Sequence, residues 1–293
     1  MRCYRIPESG EHRLVALVDG IAYDLTETDD ALRDVTDLAR LAAENGVTIE
    51  TYVRNRLTDE RLTERDADEE HLTAHATRPL HPDEVWAAGV TYEISEEARE
   101  SESGMPEVYL DVYDADRPEL FFKATASRTV GPNEAIGIRA DSDWNVPEPE
   151  LAIVLYEGEI IGYTIGNDVS SRDIEGANPL YLPQAKVYDR CCALGPCVVP
   201  ATVRDDWDDL EMGMTIYRDG STVYDDMTST SEMVRTHDEL VSYLCRHNAI
   251  PETTVLLTGT SLVPDEEFTL AEGDVVEITV QGIGTLENPV TSV

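Results

Sequence analysis

Apolar residues recur at strand and helix spacings in the first part of the chain. Residues 13–19 and 21–25 have strand composition, and the Asp-Gly pair between them is a strong signal for a two-residue β-hairpin. An amphipathic helical pattern follows, and we predict that Thr36 caps this helix and that an Asn-Gly pair ends it. These elements indicate a small N-terminal α/β domain over residues 1–80.

Beyond residue 80 the apolar runs are short and are separated by Gly and Asp turns, which favours strands. The predicted strands cover residues 85–90, 148–155, 160–165, 212–217 and 275–280. One long amphipathic helix is predicted over residues 230–247, and a second Asp-Gly hairpin at residues 219–220. The pattern predicts an α+β fold in which residues 81–293 form a mostly antiparallel β domain.

Charge is the most unusual feature of the composition. The chain has 60 acidic residues against 22 basic ones, a formal net charge of −38. Such a field repels nucleic acids and anionic membranes, so we expect neither as a partner. No apolar run approaches the roughly 18 residues of a membrane span and the N-terminus has no signal-peptide features, so we expect a cytoplasmic protein.

Lysine is nearly absent from the basic residues. Only Lys123 and Lys186 are lysines, and the other 20 basic residues are arginines. This composition is typical of a halophilic protein, because molar salt shortens the Debye length to about 3 Å and screens the self-repulsion. Either the two lysines are chance survivors, or they supply an amine that can shift its pKa and transfer a proton, which a guanidinium cannot do.

Acidic residues lie at the ends of two predicted strands. Glu148 and Glu150 are two residues apart, so on a strand their side chains point to the same face, just before an apolar run. Asp168 ends the next apolar strand. Buried like charges repel one another unless a cation lies between them, and oxygen ligands favour Mg²⁺, Mn²⁺ or Ca²⁺ over zinc. The arrangement predicts a divalent-metal site, although glutamates at this spacing also arise by chance in so acidic a chain.

Hydroxyl side chains surround a glycine near the C-terminus. Thr258, Thr260 and Ser261 flank Gly259 at the end of an apolar run, and hydroxyls with exposed amides can hold a carboxylate. A Thr-Gly-Thr sequence is also an ordinary turn. The five cysteines show no metal-site spacing and are interpreted as small buried residues, and the histidines near residue 80 as part of a solvated linker.

Taken in chain order, these residues resemble the motifs of the fumarylacetoacetate hydrolase family. The matching features are Glu148 and Glu150, Asp168 followed by Val169-Ser170-Ser171-Arg172-Asp173, Lys186, Thr258-Gly259-Thr260, and Phe121-Phe122-Lys123 in place of a Phe-x-Lys-Pro strand. The resemblance covers residues 85–293. It implies a β-roll catalytic domain that binds Mg²⁺ or a similar ion and forms a homo-oligomer, a dimer or a tetramer.

One position departs from the family pattern. Hydrolytic members carry Asn-Tyr-x-x-His near the start of this domain, and this chain has Ser95 at the histidine position. Because a serine cannot act as that base at neutral pH, C–C hydrolysis is not expected. The surrounding segments resemble the branch that dehydrates 2-keto-3-deoxy-D-arabinonate or D-xylonate to 2,5-dioxopentanoate in oxidative pentose degradation.

The resemblance implies a role for each matched residue toward a 2-oxo sugar acid. Glu148, Glu150 and Asp168 are expected to hold the metal ion. Lys186 is expected to abstract the C3 proton or stabilise the enolate, and Glu119 to protonate the departing C4 hydroxyl. The expected substrate-binding residues are Thr258, Thr260, Ser261, Tyr92, Lys123 and Arg139.

Two other functions remain open at this point. A histidine from the N-terminal domain, or His237, could restore hydrolysis or decarboxylation of an acylpyruvate. The chain could also be a non-enzymatic metal-binding module. The two retained lysines argue against that alternative, because a purely structural metal site does not need them.

Overall fold

The structure is a computed structural model, which describes residues 1–58, 62–92 and 115–293. The strands in these ranges are β1 Arg2–Glu8, β2 Glu11–Val18, β3 Ile21–Asp24, β4 Glu64–Arg65, β5 Glu84–Gly89, β6 Glu119–Ala124, β7 Thr129–Val130, β8 Ile136–Ile138, β9 Asn145–Val146, β10 Pro149–Tyr156, β11 Glu159–Asp168, β12 Ser170–Ser171, β13 Cys192–Pro200, β14 Glu211–Arg218, β15 Ser221–Ser229, β16 Thr253–Leu257, β17 Val275–Val280 and β18 Gly284–Ser292. The helices are α1 Val35–Glu44, α2 Ile49–Arg56, α3 Glu69–His75, α4 Arg172–Ala177, α5 Leu182–Lys186 and α6 His237–Cys245.

Two large sheets make up the fold. The larger has the order β4-β3-β2-β1-β13-β11-β10-β16-β5-β6, with β7 beside β13, and the smaller has the order β15-β14-β17-β18-β8. Among the described strands, the parallel pairs are β5 with β16, β7 with β13, and β8 with β18. The predicted α+β fold with a mostly antiparallel β domain is therefore confirmed.

Strand β10 shows how the sheets form the core. Leu151, Ile153 and Leu155 belong to the apolar cluster shared with the smaller sheet, and Ala152 and Val154 belong to the cluster that includes helices α1 and α2. Because successive side chains of a strand point to opposite faces, a strand covered on both sides must be apolar throughout. This two-sided burial carries the adjoining glutamates into the interior.

The N-terminal strands extend the larger sheet. Strand β1 pairs antiparallel with β13, where Cys3 lies opposite Val198 and Tyr4 opposite Cys197. Strands β2, β3 and β4 continue the sheet outward from β1. Residues 1–80 thus share backbone hydrogen bonds with residues 81–293, and the division of the chain into two domains at residue 80 stays a prediction.

Both predicted Asp-Gly hairpins are present. Asp19 and Gly20 connect β2 to β3, and Asp219 and Gly220 connect β14 to β15, with positive φ at all four residues. The positive φ angles are those of a type I′ turn, which matches the twist of the flanking strands. The first helix also forms, but Asp34 rather than Thr36 caps it.

The long helix predicted over residues 230–247 is wrong in its first half. Strand β15 continues to Ser229, and helix α6 begins only at His237, where the Thr236 side chain accepts the Glu239 amide N–H. The intervening segment is held by tertiary contacts, because the Val234 amide N–H donates to the carbonyl oxygen of Thr91 at 2.8 Å. Thr230–Glu232 form a 3₁₀ turn and the residues after it are irregular, so apolar residues at helical spacing serve here as a connection between β15 and α6.

Two composition-based expectations can be compared with the structure. All five cysteines are free thiols; Cys245 is partly exposed and the other four are buried, which agrees with their interpretation as small buried residues. In the described ranges, no helix has the length and apolar character needed to cross a membrane.

Candidate active site

Strands β10 and β11 bring three predicted carboxylates together. Glu148 immediately precedes β10, Glu150 lies in β10, and Asp168 is the last residue of β11. The Asp168 amide N–H donates to the Glu148 carbonyl oxygen at 2.9 Å. One carboxylate oxygen of each residue lies within 4.8 Å of the others, and the residues are 6%, 1% and 0% exposed, respectively. We call Glu148, Glu150 and Asp168 the carboxylate cluster.

The carboxylate cluster fits a hard divalent cation. Three buried oxygen ligands without a nearby histidine or cysteine ligand form the donor set that Mg²⁺, Mn²⁺ and Ca²⁺ prefer. Like charges gathered in a buried site repel one another, which a bound cation relieves. The residues present therefore fit the metal that the sequence predicts.

Three cationic side chains contact the carboxylate cluster. Lys123 Nζ lies 2.6 Å from Asp168 Oδ1, and Lys186 Nζ lies 2.8 Å from Glu148 Oε2 and 3.3 Å from Asp168 Oδ2. The Arg172 guanidinium lies 3.0 Å from Glu148 Oε1. Both lysines are buried, so the cations offset the charge of the three carboxylates inside the protein rather than at its surface.

The pKa values follow from this pairing. Burial raises the pKa of Glu148, but Lys186 and Arg172 outweigh burial and hold it at about 2. Burial and the neighbouring Asp168 and Glu148 raise the pKa of Glu150. Burial lowers the pKa of Lys186, but Asp168 and Glu148 outweigh it and raise this pKa above its usual value. Without a bound cation, the contacts with Glu148 and Asp168 therefore favour the protonated form of Lys186.

The turn after β16 holds the Glu150 carboxylate of the cluster. The Gly259 amide N–H donates to Glu150 Oε2, and the Thr258 hydroxyl donates to the Leu151 carbonyl oxygen at 2.9 Å. Gly259 has φ +86°, and a Cβ added there would lie 2.1 Å from Thr91 Oγ1. Both the positive φ and the lack of space for a Cβ require a glycine at position 259. The Thr-Gly-Thr turn therefore holds Glu150 in place through the Gly259 amide.

Glu119 lies on a strand beside the site. It is opposite Gly89 in the pairing of β5 with β6, and a Cβ on Gly89 would lie 2.2 Å from Glu119 Oε2. The absent side chain of Gly89 thus leaves space for this carboxyl group. Burial, followed by the charge of Glu175, raises the pKa of Glu119 to about 7. A carboxyl group whose pKa is raised this far can hold a proton near neutral pH and donate it.

Two residues predicted to bind substrate are engaged by the protein itself. Lys123 is fully buried and donates to the carbonyl oxygens of Val169, at 2.8 Å, and Lys186, at 2.5 Å. The Arg139 guanidinium pairs with Asp141 at 2.7 Å and donates to the Gln184 carbonyl oxygen at 3.2 Å. The roles of Lys123 and Arg139 in substrate binding stay predictions. The contacts that Lys123 makes are those of a residue that positions Asp168.

The remaining predicted substrate-binding residues carry hydroxyl groups. Tyr92 is buried, and its hydroxyl has no hydrogen-bond partner among the described residues. The Thr260 hydroxyl accepts the Leu262 amide N–H at 3.0 Å, and Ser261 Oγ lies 2.6 Å from Thr228 Oγ1. The roles of all three stay predictions.

Sequence reasoning missed some functional neighbours. Arg172 pairs with Glu148, and the Lys186 ammonium donates to Ser170 Oγ at 2.6 Å. Both residues lie in the segment after Asp168 that carries the family resemblance, which was the available signal. Arg172 was not singled out because it is one of 20 arginines, whereas each lysine is one of two.

None of the six histidines, all within the described residues, has a hydrogen bond, ion pair or ring contact with the carboxylate cluster. His237 instead packs against Tyr163, with ring centroids 5.4 Å apart, and Tyr163 stacks on Trp207. The histidine alternative for hydrolysis therefore has no support from this chain. Ser95, at the family's histidine position, lies outside the described residues.

This chain belongs to the fumarylacetoacetate hydrolase family. The family model described as "Fumarylacetoacetate (FAA) hydrolase C-terminal" matches residues 84–291, most of the chain. The match confirms the family resemblance and the expected β-roll domain.

Individual relatives narrow the comparison. The chain is 60% identical over 294 residues to a Haloferax volcanii protein named probable 2-keto-3-deoxyxylonate dehydratase, with 100% of both chains covered. It is 47% identical over 220 residues to 2-dehydro-3-deoxy-D-arabinonate dehydratase of Saccharolobus solfataricus, covering 73% of this chain and 74% of the relative.

A solved structure gives the same comparison in three dimensions. The structure of 2-keto-3-deoxy-D-arabinonate dehydratase complexed with magnesium and 2,5-dioxopentanoate matches with a TM-score of 0.83 and 36% identity. The match covers 100% of this chain and 99% of that chain. The apo form of the same dehydratase matches with a TM-score of 0.84, 37% identity and the same coverage.

Proposed function

We propose that this chain is a divalent-metal-dependent hydro-lyase that converts 2-keto-3-deoxy-D-arabinonate or D-xylonate to 2,5-dioxopentanoate. The observation that carries the proposal is the buried carboxylate cluster, with Lys186 in contact and Glu119 on β6 close enough for the charges of Lys186 and Glu148 to shift its pKa. The names of the relatives, and the magnesium and 2,5-dioxopentanoate of the similar solved structure, support this substrate class.

The charge balance of the site suits an anionic 2-oxo acid. Lys123, Lys186 and Arg172 offset the carboxylate cluster, so little net negative charge opposes the substrate carboxylate, despite the net charge of −38 on the chain. When bound by the carboxylate cluster, Mg²⁺ supplies a Lewis acid that polarises the 2-oxo group and stabilises the negative charge developing on it.

Lys186 is assigned to the first proton transfer, at C3. Its Nζ is in contact with Glu148 and Asp168, so it lies at the edge of the carboxylate cluster. Where a bound cation offsets the charges of Glu148 and Asp168, the pKa of Lys186 would fall and its amine could take the C3 proton. In its ammonium form, Lys186 instead stabilises the electron pair left when that proton departs. Contacts to Ser170 and Glu148 fix the direction of the amine.

Glu119 is assigned to the departing hydroxyl group. With a pKa of about 7, its carboxyl group is available in the acid form and donates a proton as the C4–O bond breaks, which releases water. Loss of a C5 proton and return of a proton to C3 then give the C4–C5 enol of the product. Loss of its hydroxyl proton and protonation at C4 complete the conversion to 2,5-dioxopentanoate. Thr258, Thr260, Ser261, Tyr92, Lys123 and Arg139 are the candidates for holding the substrate carboxylate and hydroxyl groups, or for positioning the residues that do.

The proposal includes the setting of the enzyme. Mg²⁺ is the proposed ion, with Mn²⁺ and Ca²⁺ as alternatives that the same ligands accept. The free thiols and the lysine-poor acidic surface support a cytoplasm with high salt. Large apolar side chains at the surface support a homo-oligomer, since Leu180 is 83% exposed and Met227 is 61% exposed.

An assay with two substrates tests the function. The protein is incubated in molar KCl with Mg²⁺ and either 2-keto-3-deoxy-pentonate or an acylpyruvate, each with and without EDTA. We expect 2,5-dioxopentanoate from the first substrate, loss of that activity in EDTA, and no C–C cleavage of the second. Turnover of the acylpyruvate alone, or dehydration that EDTA does not reduce, would contradict the proposal. Glu148→Gln serves as the site-specific control, because it keeps the side-chain size and removes a ligand charge.

A further inference from the structure

A second polar cavity lies where the N-terminal strands meet the rest of the chain. Its volume is about 490 Å³. Arg5, His12 and Arg78 line it from residues 1–80, and Arg190 lines it from the loop after α5. We call it the junction cavity. Three arginines beside one cavity are unusual in a chain with 60 acidic residues, so the junction cavity concentrates positive charge where the surface is negative elsewhere.

The three arginines of the junction cavity form no ion pair within the described residues. Arg5 Nη1 donates to Thr77 Oγ1 at 3.4 Å, and Arg190 Nη1 donates to the Ala135 carbonyl oxygen at 3.0 Å. Arg78 Nη1 donates to the carbonyl oxygens of Ala126 and Thr129, and Arg78 Nη2 contacts His81 Nδ1. Arginines elsewhere do pair, for example Arg204 with Asp206 at 2.6 Å. Repulsion between the three guanidinium groups is therefore not offset by a contacting carboxylate.

Two arginine donors and one histidine ring nitrogen in the junction cavity have no hydrogen-bond partner among the described residues. Arg5 Nε, Arg78 Nε and His12 Nδ1 are buried atoms without a hydrogen-bond partner among the described residues. A buried polar group that has lost water and gained no partner destabilises the folded state. Two guanidinium groups and a ring nitrogen around one cavity thus have buried atoms without a hydrogen-bond partner. A ligand with several acceptor oxygens would supply hydrogen-bond partners for the guanidinium groups.

The carboxylates of the junction cavity lie at its exposed rim. Glu134 and Asp189 line the cavity and are exposed to solvent, and one Glu134 oxygen accepts the Gly131 amide N–H at 2.6 Å. The half-buried arginines are thus more shielded from solvent than these acids. Asp34, which caps α1, is a further carboxylate whose charge acts on Arg5, without an ion pair.

The histidines of the junction cavity are neutral. Burial and the charge of Arg78 lower the pKa of His81 to about 4, and burial and Arg5 lower the pKa of His12. A neutral imidazole offers one donor and one acceptor, whereas the guanidinium groups keep their charge throughout the physiological range. The permanent charge of the cavity is therefore set by its arginines.

We propose that the junction cavity binds a phosphate-class oxyanion, either inorganic phosphate or the phosphate group of a small metabolite. Planar guanidinium groups bind phosphate oxygens through paired charge-assisted hydrogen bonds, which matches three arginines with spare donors. The cavity has room for more than a phosphate group, so a phosphorylated metabolite can fit. Bound there, the anion bridges residues 1–80 to the loop that follows Lys186.

Equilibrium dialysis of the full chain with inorganic phosphate tests the proposal. The buffer contains molar KCl and EDTA, so that phosphate cannot bind through a metal ion at the carboxylate cluster. We expect saturable binding of one phosphate per chain, and ribose 5-phosphate as a second ligand distinguishes the sources. Tighter binding of ribose 5-phosphate indicates a metabolite phosphate, and equal binding indicates the free anion.

Matched variants place the binding in the junction cavity. Arg5→Gln and Arg190→Gln each remove one guanidinium group and are expected to weaken phosphate binding about 10- to 100-fold. Arg246→Gln removes an exposed arginine from α6's end and is expected to leave binding unchanged. Absence of saturable binding in the native chain, or binding that both cavity variants retain, would overturn the proposal. Because no turnover is measured, this result is independent of the proposed dehydration.

Discussion

Two regions of this acidic chain gather cationic side chains, and they use them differently. At the carboxylate cluster, Lys123, Lys186 and Arg172 each contact a carboxylate within 3.0 Å. In the junction cavity, Arg5 and its neighbouring arginines contact none among the described residues.

The difference indicates the charge of the ligand that each of the two regions is suited to bind. Where cations and carboxylates are already balanced, a site can accept a divalent cation together with an anionic substrate. Where cations face one another and retain unused donors, the stabilising ligand is an anion. A chain with a net charge of −38 makes this contrast informative, because an acidic partner for a surface arginine is seldom far away.

The largest expected effect is on turnover, from Lys186→Arg. The variant keeps a positive charge beside Glu148 and Asp168 but removes an amine that can transfer a proton. We expect kcat for 2-keto-3-deoxy-pentonate to fall by about 10²- to 10⁴-fold, with the thermal midpoint nearly unchanged. Turnover close to that of the native chain would show that charge alone is needed at this position.

Replacing one cation in each region tests the comparison through stability. Lys123→Met leaves Asp168 buried without its closest cation, so we expect a loss of about 3–5 kcal/mol in the free energy of unfolding. Arg5→Met breaks no ion pair and relieves repulsion, so we expect a change within about 0.5 kcal/mol or a gain. Urea unfolding in EDTA measures both. An equal loss of unfolding free energy in Lys123→Met and Arg5→Met would show that the cations of the two regions do not differ in how they are paired.

Glu119→Gln connects stability to pH. A carboxyl group whose pKa is raised from about 4.3 to about 7 contributes stability that is present at pH 4 and lost as the pH rises through 7. The variant cannot ionise, so we expect it to be up to about 3 kcal/mol more stable than the native chain at pH 8, and equally stable near pH 4. Its turnover should fall about 100-fold.

The same pKa predicts the pH dependence of the native enzyme. Dehydration should slow as the pH rises above about 7, because the proton donor is lost. A native rate that stays constant from pH 6 to pH 9, together with an active Glu119→Gln variant, would assign the proton donor elsewhere.

The smallest effect is expected from Gly259→Ala, on metal affinity. The new Cβ would lie 2.1 Å from Thr91 Oγ1, which displaces the amide N–H that Glu150 accepts. We expect Mg²⁺ to bind about 10- to 100-fold more weakly, measured by calorimetry. Gly220→Ala is the matched control: its φ is +75°, and no atom lies within 4 Å of its added Cβ. Equal Mg²⁺ affinity in the two variants would show that the turn does not support Glu150.

The local sequence pattern was sufficient to predict part of the fold and part of the candidate site. The two Asp-Gly hairpins follow from turn geometry, and the shared face of Glu148 and Glu150 follows from the two-residue repeat of a strand. The contact of Lys186 with Glu148 and Asp168 agrees with the inference from lysine depletion. By contrast, periodicity misplaced the start of α6, because the segment before it forms a 3₁₀ turn and an irregular connection that is hydrogen-bonded to Thr91.

By itself, the sequence determined five strands of the β domain, the three carboxylates of the cluster and the two lysines that contact them. Strand alternation and amino-acid chemistry act over a few residues, so both can be read along the chain. Only the tertiary structure decided that Arg172 pairs with Glu148, that Gly89 leaves space for Glu119, and that arginines from distant segments line the junction cavity. Such contacts depend on which strands become neighbours, and that choice is made by burying apolar surface across the whole sheet rather than by any local motif.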